Sequence, residues 1–126
     1  MTAGTNARRI ARVATKAAQE KLGQDILIID VSEKLGIAEL FVVVSGANER
    51  QVGAIVDEIE KQSILEGCKP LRREGKRDDP WVLLDYFDTI VHVQLLEARQ
   101  RYALDRLWKD CPVINLTSLD DVESQQ

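Results

Sequence analysis

The 126-residue chain is predicted to form one α/β domain, a mixed β-sheet flanked by helices. Three observations predict this. Ile10, Val13, Ala14, Ala17, Ala18 and Leu22 recur at intervals of three and four, the period of one buried helix face. Residues 26–29 and 40–44 are short unbroken apolar runs, the pattern of strands covered on both faces. Residues 81–86 and 89–95 form two more strand-like runs parted only by Phe87 and Asp88, which predicts a hairpin. A chain of this size buries about two-thirds of its extended surface, enough for one core and too little for two.

The elements follow in order. The first helix is expected to stop at Gly23, and Asp25 and Asp30 flank the first strand. After the second strand, Ser45, Gly46, Ala47 and Asn48 supply a turn. Asn48 caps the next helix, with Gln51 in the capping-box position three residues on. Val52, Ile55, Val56, Ile59 and Ile64 mark the buried side of that helix, which should end near Gly67. Residues 69–80 are charged and turn-rich, with one brief strand near Leu71. A final helix carries Tyr102, Leu104, Leu107 and Trp108 and stops before Pro112, which cannot continue a helix. The division expected is a flexible N-terminus at 1–7, the domain at 8–114 and an acidic mobile tail at 115–126.

Composition narrows the function. The net charge of −4 lacks the concentrated basic footprint that wrapping a nucleic acid requires. It is compatible with an acidic face docking on a basic protein. No apolar segment follows the N-terminal arginines, so no secretory leader is expected, and no apolar run approaches the roughly 20 residues that cross a bilayer. Cys68 and Cys111 have no metal-ligand spacing and make no disulfide framework. Both are expected to be reduced structural residues in a cytoplasmic protein.

The chemistry-bearing residues are sparse. His92 is the single histidine and lies in an alternating strand, so a structural role outweighs a catalytic one. Asp85 and Asp88 flank the hairpin turn. They would suit a two-metal nucleotidyl-transfer site only with more ligands and a phosphate grip, so turn stabilisation or a partner-facing charge is the simpler reading. Residues 45–48 match neither the dinucleotide fingerprint nor the P-loop, and Ser45 has no nucleophile elbow. Lys69, Arg72, Arg73, Lys76 and Arg77 are diluted by Glu74, Asp78 and Asp79. They read as a solvated surface, with ribosomal RNA backbone contact the secondary possibility. Trp81, Tyr86 and Phe87 border the hairpin beside Asp85 and Asp88, and aromatics rimmed by acids fit a protein-binding patch. Core packing competes for Trp81, and Trp108 is expected in the core.

These stretches resemble the ribosomal silencing factor family, also called the Iojap family. The matching segments are DILIIDV at 25–31, LFVVVSGANERQV at 40–52, WVLLDYFDTIVHV at 81–93 and EARQRYALDRLW at 97–108. With the first helix they cover about residues 8–110. The resemblance implies a nucleotidyltransferase-like fold without an evident catalytic site, and no cofactor. It implies binding to the large ribosomal subunit through large-subunit protein fourteen, which blocks joining of the small subunit and lowers translation when nutrients are scarce. A homodimeric free state is implied as well. By the same resemblance Trp81, Tyr86 and Asp88 are the expected partner-binding residues, with Phe87 added from its place in the turn, and Asp85 and His92 are recurrent structural ones. Two departures stand out: residues 34–39 lack three hydroxyls common in relatives, and Phe87 replaces a common glycine. The competing readings are a divergent metal-dependent nucleotidyltransferase using Asp85 and Asp88, and a dimeric protein-binding scaffold.

Overall fold

The computed structural model describes residues 4–36, 38–77, 79–116 and 119. Among them the order is α1 (Thr5–Glu20), β1 (Gln24–Asp30), α2 (Ser32–Leu35), β2 (Leu40–Gly46), α3 (Glu49–Leu65) and β3 (Arg72–Glu74). Then come β4 (Trp81–Asp85), β5 (Thr89–Leu95), α4 (Leu96–Tyr102), α5 (Leu104–Leu107) and β6 (Val113–Ile114). The strands form one mixed sheet in the order β3-β4-β5-β2-β1-β6. Only the β2–β5 pair is parallel. The expected mixed sheet with helical cover is therefore the observed architecture.

Strand alternation divides the core in two. Leu40, Val42, Val44, Val82, Leu84, Tyr86, Val91 and Val93 point toward α1 and α3. Ala7, Ala11, Ala14 and Ala18 present almost no bulk on the buried side of α1, which lets that helix lie close to α3 and the sheet. On the other face Ile29, Phe41 and Val43 pack with Leu104 and Cys111, and Trp81, Ile90 and Trp108 are partly buried against them. β2 is buried along its whole length because it pairs on both sides and is covered on both faces. β1 is not: Gln24 and Asp25 are exposed, and only its second half is fully enclosed.

The cap of α3 follows the expected pattern with one variation. Asn48 Oδ1 accepts the Gln51 backbone N–H at 2.9 Å, while Gln51 Oε1 accepts from Ala47 N rather than from the capping residue. Gln51 Nε2 also donates to the carbonyls of Lys21 and Leu22, tying the end of α1 to the start of α3.

Several expectations are corrected. Leu22, at φ 61, is the left-handed residue that ends α1 and is 75% exposed, so it leaves the apolar stripe. Gly23 is needed for another reason: a Cβ there would lie 2.7 Å from Val44 Cγ1. Ile64 is exposed. Thr5 to Ala7 belong to α1 rather than to a flexible terminus, and Ala7 is fully buried. The single last helix is two short ones broken at Ala103, whose φ of 47 is left-handed. Of the expected mobile tail, Leu119 is fully buried in the α1/α3 core, and residues 117, 118 and 120–126 lie outside the described residues.

Candidate protein interface

The two faces of the sheet are covered unequally. α1 and α3 span 16 and 17 residues and lie over one face, whereas α4 and α5 span seven and four on the other. α4 lies over β5 and β2, and the segment after it packs on β1 and β2, where Trp108 meets Phe41 edge-on at 5.5 Å between ring centroids. Toward β4 the cover runs out. Trp81, Leu83 and Asp85 alternate onto this face beside Ile90, all four only partly buried. Arg72 and Glu74 of the edge strand adjoin them. The result is an apolar strip with a charged rim.

Trp81 is held in place. Its indole Nε1–H donates to His92 Nδ1 at 3.2 Å, and its ring lies 4.7 Å from that of Tyr102. His92 is 5% exposed, also contacts Phe41, and burial pulls its pKa down from 6.5 to about 4. It is a neutral structural histidine that orients the tryptophan.

Tyr86 is corrected. It follows Trp81 by five positions, so alternation turns it to the opposite, helix-covered face. It is 5% exposed, and its hydroxyl lies 2.8 Å from Ser63 Oγ. Ser63 donates its own proton to the Glu60 carbonyl, so Tyr86 is the donor to Ser63. Burial pushes its pKa up to about 12. Tyr86 supports the hairpin from beneath and presents nothing to a partner.

Phe87 and Asp88 lie in the turn, at the other end of β4 from Trp81, about 20 Å away by strand rise. The expected group is therefore spread along the hairpin rather than gathered at its tip. Phe87 is 66% exposed at φ 76, a conformation that suits glycine. Its amide donates to Asp85 Oδ1 at 2.8 Å. Asp88 accepts from Asn6 Nδ2 at 3.3 Å, and its carbonyl takes the amides of Glu39 and Leu40. Glu39, in the divergent segment, accepts the Gly4 amide at 2.6 Å and so fastens the start of α1.

The other candidate chemistries find no assembled site. Asp85 is engaged by the Phe87 amide and by Arg72 at 3.4 Å, and Asp88 by Asn6, so the two carboxylates serve separate structural contacts. Among the described residues no group of three or more His, Cys, Asp or Glu is placed to hold a metal ion. A groove of about 630 Å³ beside Asn48, Arg50, Leu95 and Glu97 lies where β2 and β5 end, a usual ligand position in α/β sheets. The amides of Ala47 and Gln51 there are already taken by side chains. Ser45, far from being a nucleophile, is fully buried and accepts from Arg99 Nη1 at 2.9 Å. The three arginines of the basic set are paired within the chain: Arg73 with Glu60, Arg77 with Asp57, and Arg72 with Glu74 and Asp85. Among the described residues no helix is long and apolar enough to cross a membrane.

The family model described as "ribosomal silencing factor during starvation" matches residues 4–126. The chain belongs to the ribosomal silencing factor family. A ribosomal silencing factor of Bacillus subtilis is 34% identical over 111 residues, covering 88% of this chain and 94% of the relative. The mouse protein named for mitochondrial assembly of the ribosomal large subunit is 29% identical over 110 residues, and only 46% of its length is matched. A crystallised Chromobacterium violaceum protein superposes with a TM-score of 0.78 at 29% identity, covering 82% of this chain and 86% of that one. One from Bacillus halodurans gives 0.74 at 28%, covering 85% and 97%. Sequence reasoning missed Arg99, a guanidinium 7% exposed that links α4 to β2. No spacing signal distinguishes it from the surface arginines near it.

Proposed function

We propose that the protein is a cytoplasmic translational repressor that binds the large ribosomal subunit through large-subunit protein fourteen and so blocks joining of the small subunit. The observation that carries the docking mode is the unequal cover of the sheet, which leaves Trp81, Leu83 and Ile90 partly exposed on one face. A sheet face with an aromatic anchor and a charged rim has the composition of a protein interface: the apolar centre supplies affinity, and Arg72, Glu74 and Asp85 select the partner. Phe87 and Asp88 extend the contact to the hairpin tip. Repression then needs no chemistry, because occupying a surface required for joining is sufficient.

The nucleotidyltransferase-like character of the fold belongs to the same proposal, as inherited architecture. Enzymatic use of Asp85 and Asp88 is disfavoured because each carboxylate is committed to a different structural contact. A ribosomal RNA contact is peripheral, since Arg72, Arg73 and Arg77 are neutralised within the chain. The free protein is proposed to be a homodimer.

The test is co-sedimentation with isolated large subunits, using a photo-crosslinker in place of Leu83. The expected product is a crosslink to large-subunit protein fourteen. Absence from the subunit pellet, or crosslinks to RNA alone, would overturn the docking mode.

A further inference from the structure

We propose that α4 is a displaceable cover over a hydrogen-bonding strip, His92 and Gln94, which an extended protein segment docked on the open face occupies with its main-chain groups. The inference rests on the docking reading above. Gln94 is fully buried, and neither its Oε1 nor its Nε2 has a hydrogen-bond partner among the described residues. His92 Nε2 is in the same condition. Because His92 Nδ1 accepts the indole N–H, the neutral ring carries its proton on Nε2, which makes it a buried donor lacking an acceptor.

Both side chains lie on β5 and share the face of Trp81. The cross-strand neighbours of Gln94 are Trp81 on one side and Ser45 on the other. α4 touches both of them, Tyr102 meeting Trp81 ring to ring at a tilt of 45° and Arg99 donating to Ser45. The helix therefore lies over the amide. A buried primary amide with donor and acceptor both unmet destabilises a fold, and an apolar residue of similar volume would suit this position better. The amide is thus unexplained by the free fold and explained by a second state in which it is reached.

That second state is accessible. α4 has seven residues and ends at Ala103, whose left-handed conformation is unfavourable for a residue with a Cβ. Tyr102 is half exposed, and Asp105, which accepts from Arg99 Nε at 3.2 Å, is about half exposed too. The uncovered strip is about 20 Å by about 15 Å, on the order of 300 Å². A standard interface needs about 800 Å² per partner, so a stable complex must gain area beyond it. Lifting α4 adds the surface over β5 and β2. A primary amide offers N–H donors and a carbonyl acceptor side by side, so it can meet both the C=O and the N–H of a peptide group. Gln94 and His92 also stand about 6.6 Å apart along the strand, the repeat of an extended chain.

The test compares wild type with Gln94→Met in thermal melting and in affinity for isolated large subunits. The expected result is a Tm raised by about 4 °C together with binding about tenfold weaker. A lowered Tm would show that the amide is satisfied in the free fold and overturn the proposal, as would a folded variant with unchanged affinity. Hydrogen exchange on the wild type supplies an arm independent of the substitution. The amides of α4 are expected to exchange faster in the complex than in the free protein, and equal or slower exchange would overturn the cover. Wild-type protein that does not bind large subunits at all overturns the docking reading itself, and the cover with it.

Discussion

Trp81→Ala removes three interactions at once, and their sizes separate a folding role from a binding one. The indole N–H donated to His92 at 3.2 Å is worth about 1 kcal/mol net. The tilted ring contact with Tyr102 at 4.7 Å adds about 1 kcal/mol beyond its area. The larger part of the ring, already buried, contributes about 1 kcal/mol more. The free protein should lose about 3 kcal/mol and stay folded if its stability is typical of a small domain. Trp81→Phe keeps most of the buried ring and should lose about 1 kcal/mol, chiefly the hydrogen bond. If the exposed part of the ring is the anchor, alanine should also cost at least about 2 kcal/mol in binding, some thirtyfold in Kd. Folding is read by circular dichroism and thermal melting, affinity by titration against isolated large subunits. A folded Trp81→Ala protein with wild-type affinity would remove Trp81 from the interface and leave it a core residue.

Other expectations follow from single contacts. Phe87→Gly relieves a left-handed conformation while removing a mostly exposed ring, so Tm should rise by an amount matching about 1 kcal/mol. A fall in Tm would show that the ring packs in the free fold. Asn48→Ala removes the cap on Gln51 N and should lower stability by about 1 kcal/mol in urea unfolding, and an unchanged midpoint would count against the cap. His92 has a folded pKa near 4 against 6.5 unfolded, so the unfolded state binds the extra proton between those values. Its contribution is complete above about pH 6.5 and is lost as pH falls toward 4, a change on the order of 3 kcal/mol. The pH dependence of melting in that window should flatten in His92→Phe, and an unaltered profile would assign it to other groups.

Much of the fold is legible in the sequence because hydrophobic period is a direct consequence of burial. The β4–β5 hairpin and the central strands follow from it, and the α3 cap follows from the polar pair Asn48 and Gln51 at the helix start. The orientation of Tyr86 was legible by the same rule, since Val82, Leu84 and Tyr86 alternate together and oppose Trp81. A cluster of aromatics around a turn obscured it. Leu22 and Ala103 were not legible: each takes a left-handed conformation that glycine ordinarily signals, so a helix end and a helix break both went unmarked. β6 is two residues long and owes its existence to pairing with β1, a tertiary effect with no local signature. Leu119 stands among acidic residues whose composition conceals a single buried contact. At the candidate site the residue types were legible, but their separation along β4 required the register.

The proposed repression requires that occupancy of the large subunit through the Trp81 face prevents joining. Purified large and small subunits are mixed with increasing wild-type protein, and joined ribosomes are measured by light scattering or gradient sedimentation. Joining should fall in proportion to large-subunit occupancy, and Trp81→Ala should require about thirtyfold more protein for the same effect. Undiminished joining at concentrations of wild-type protein that saturate the large subunit would contradict the account.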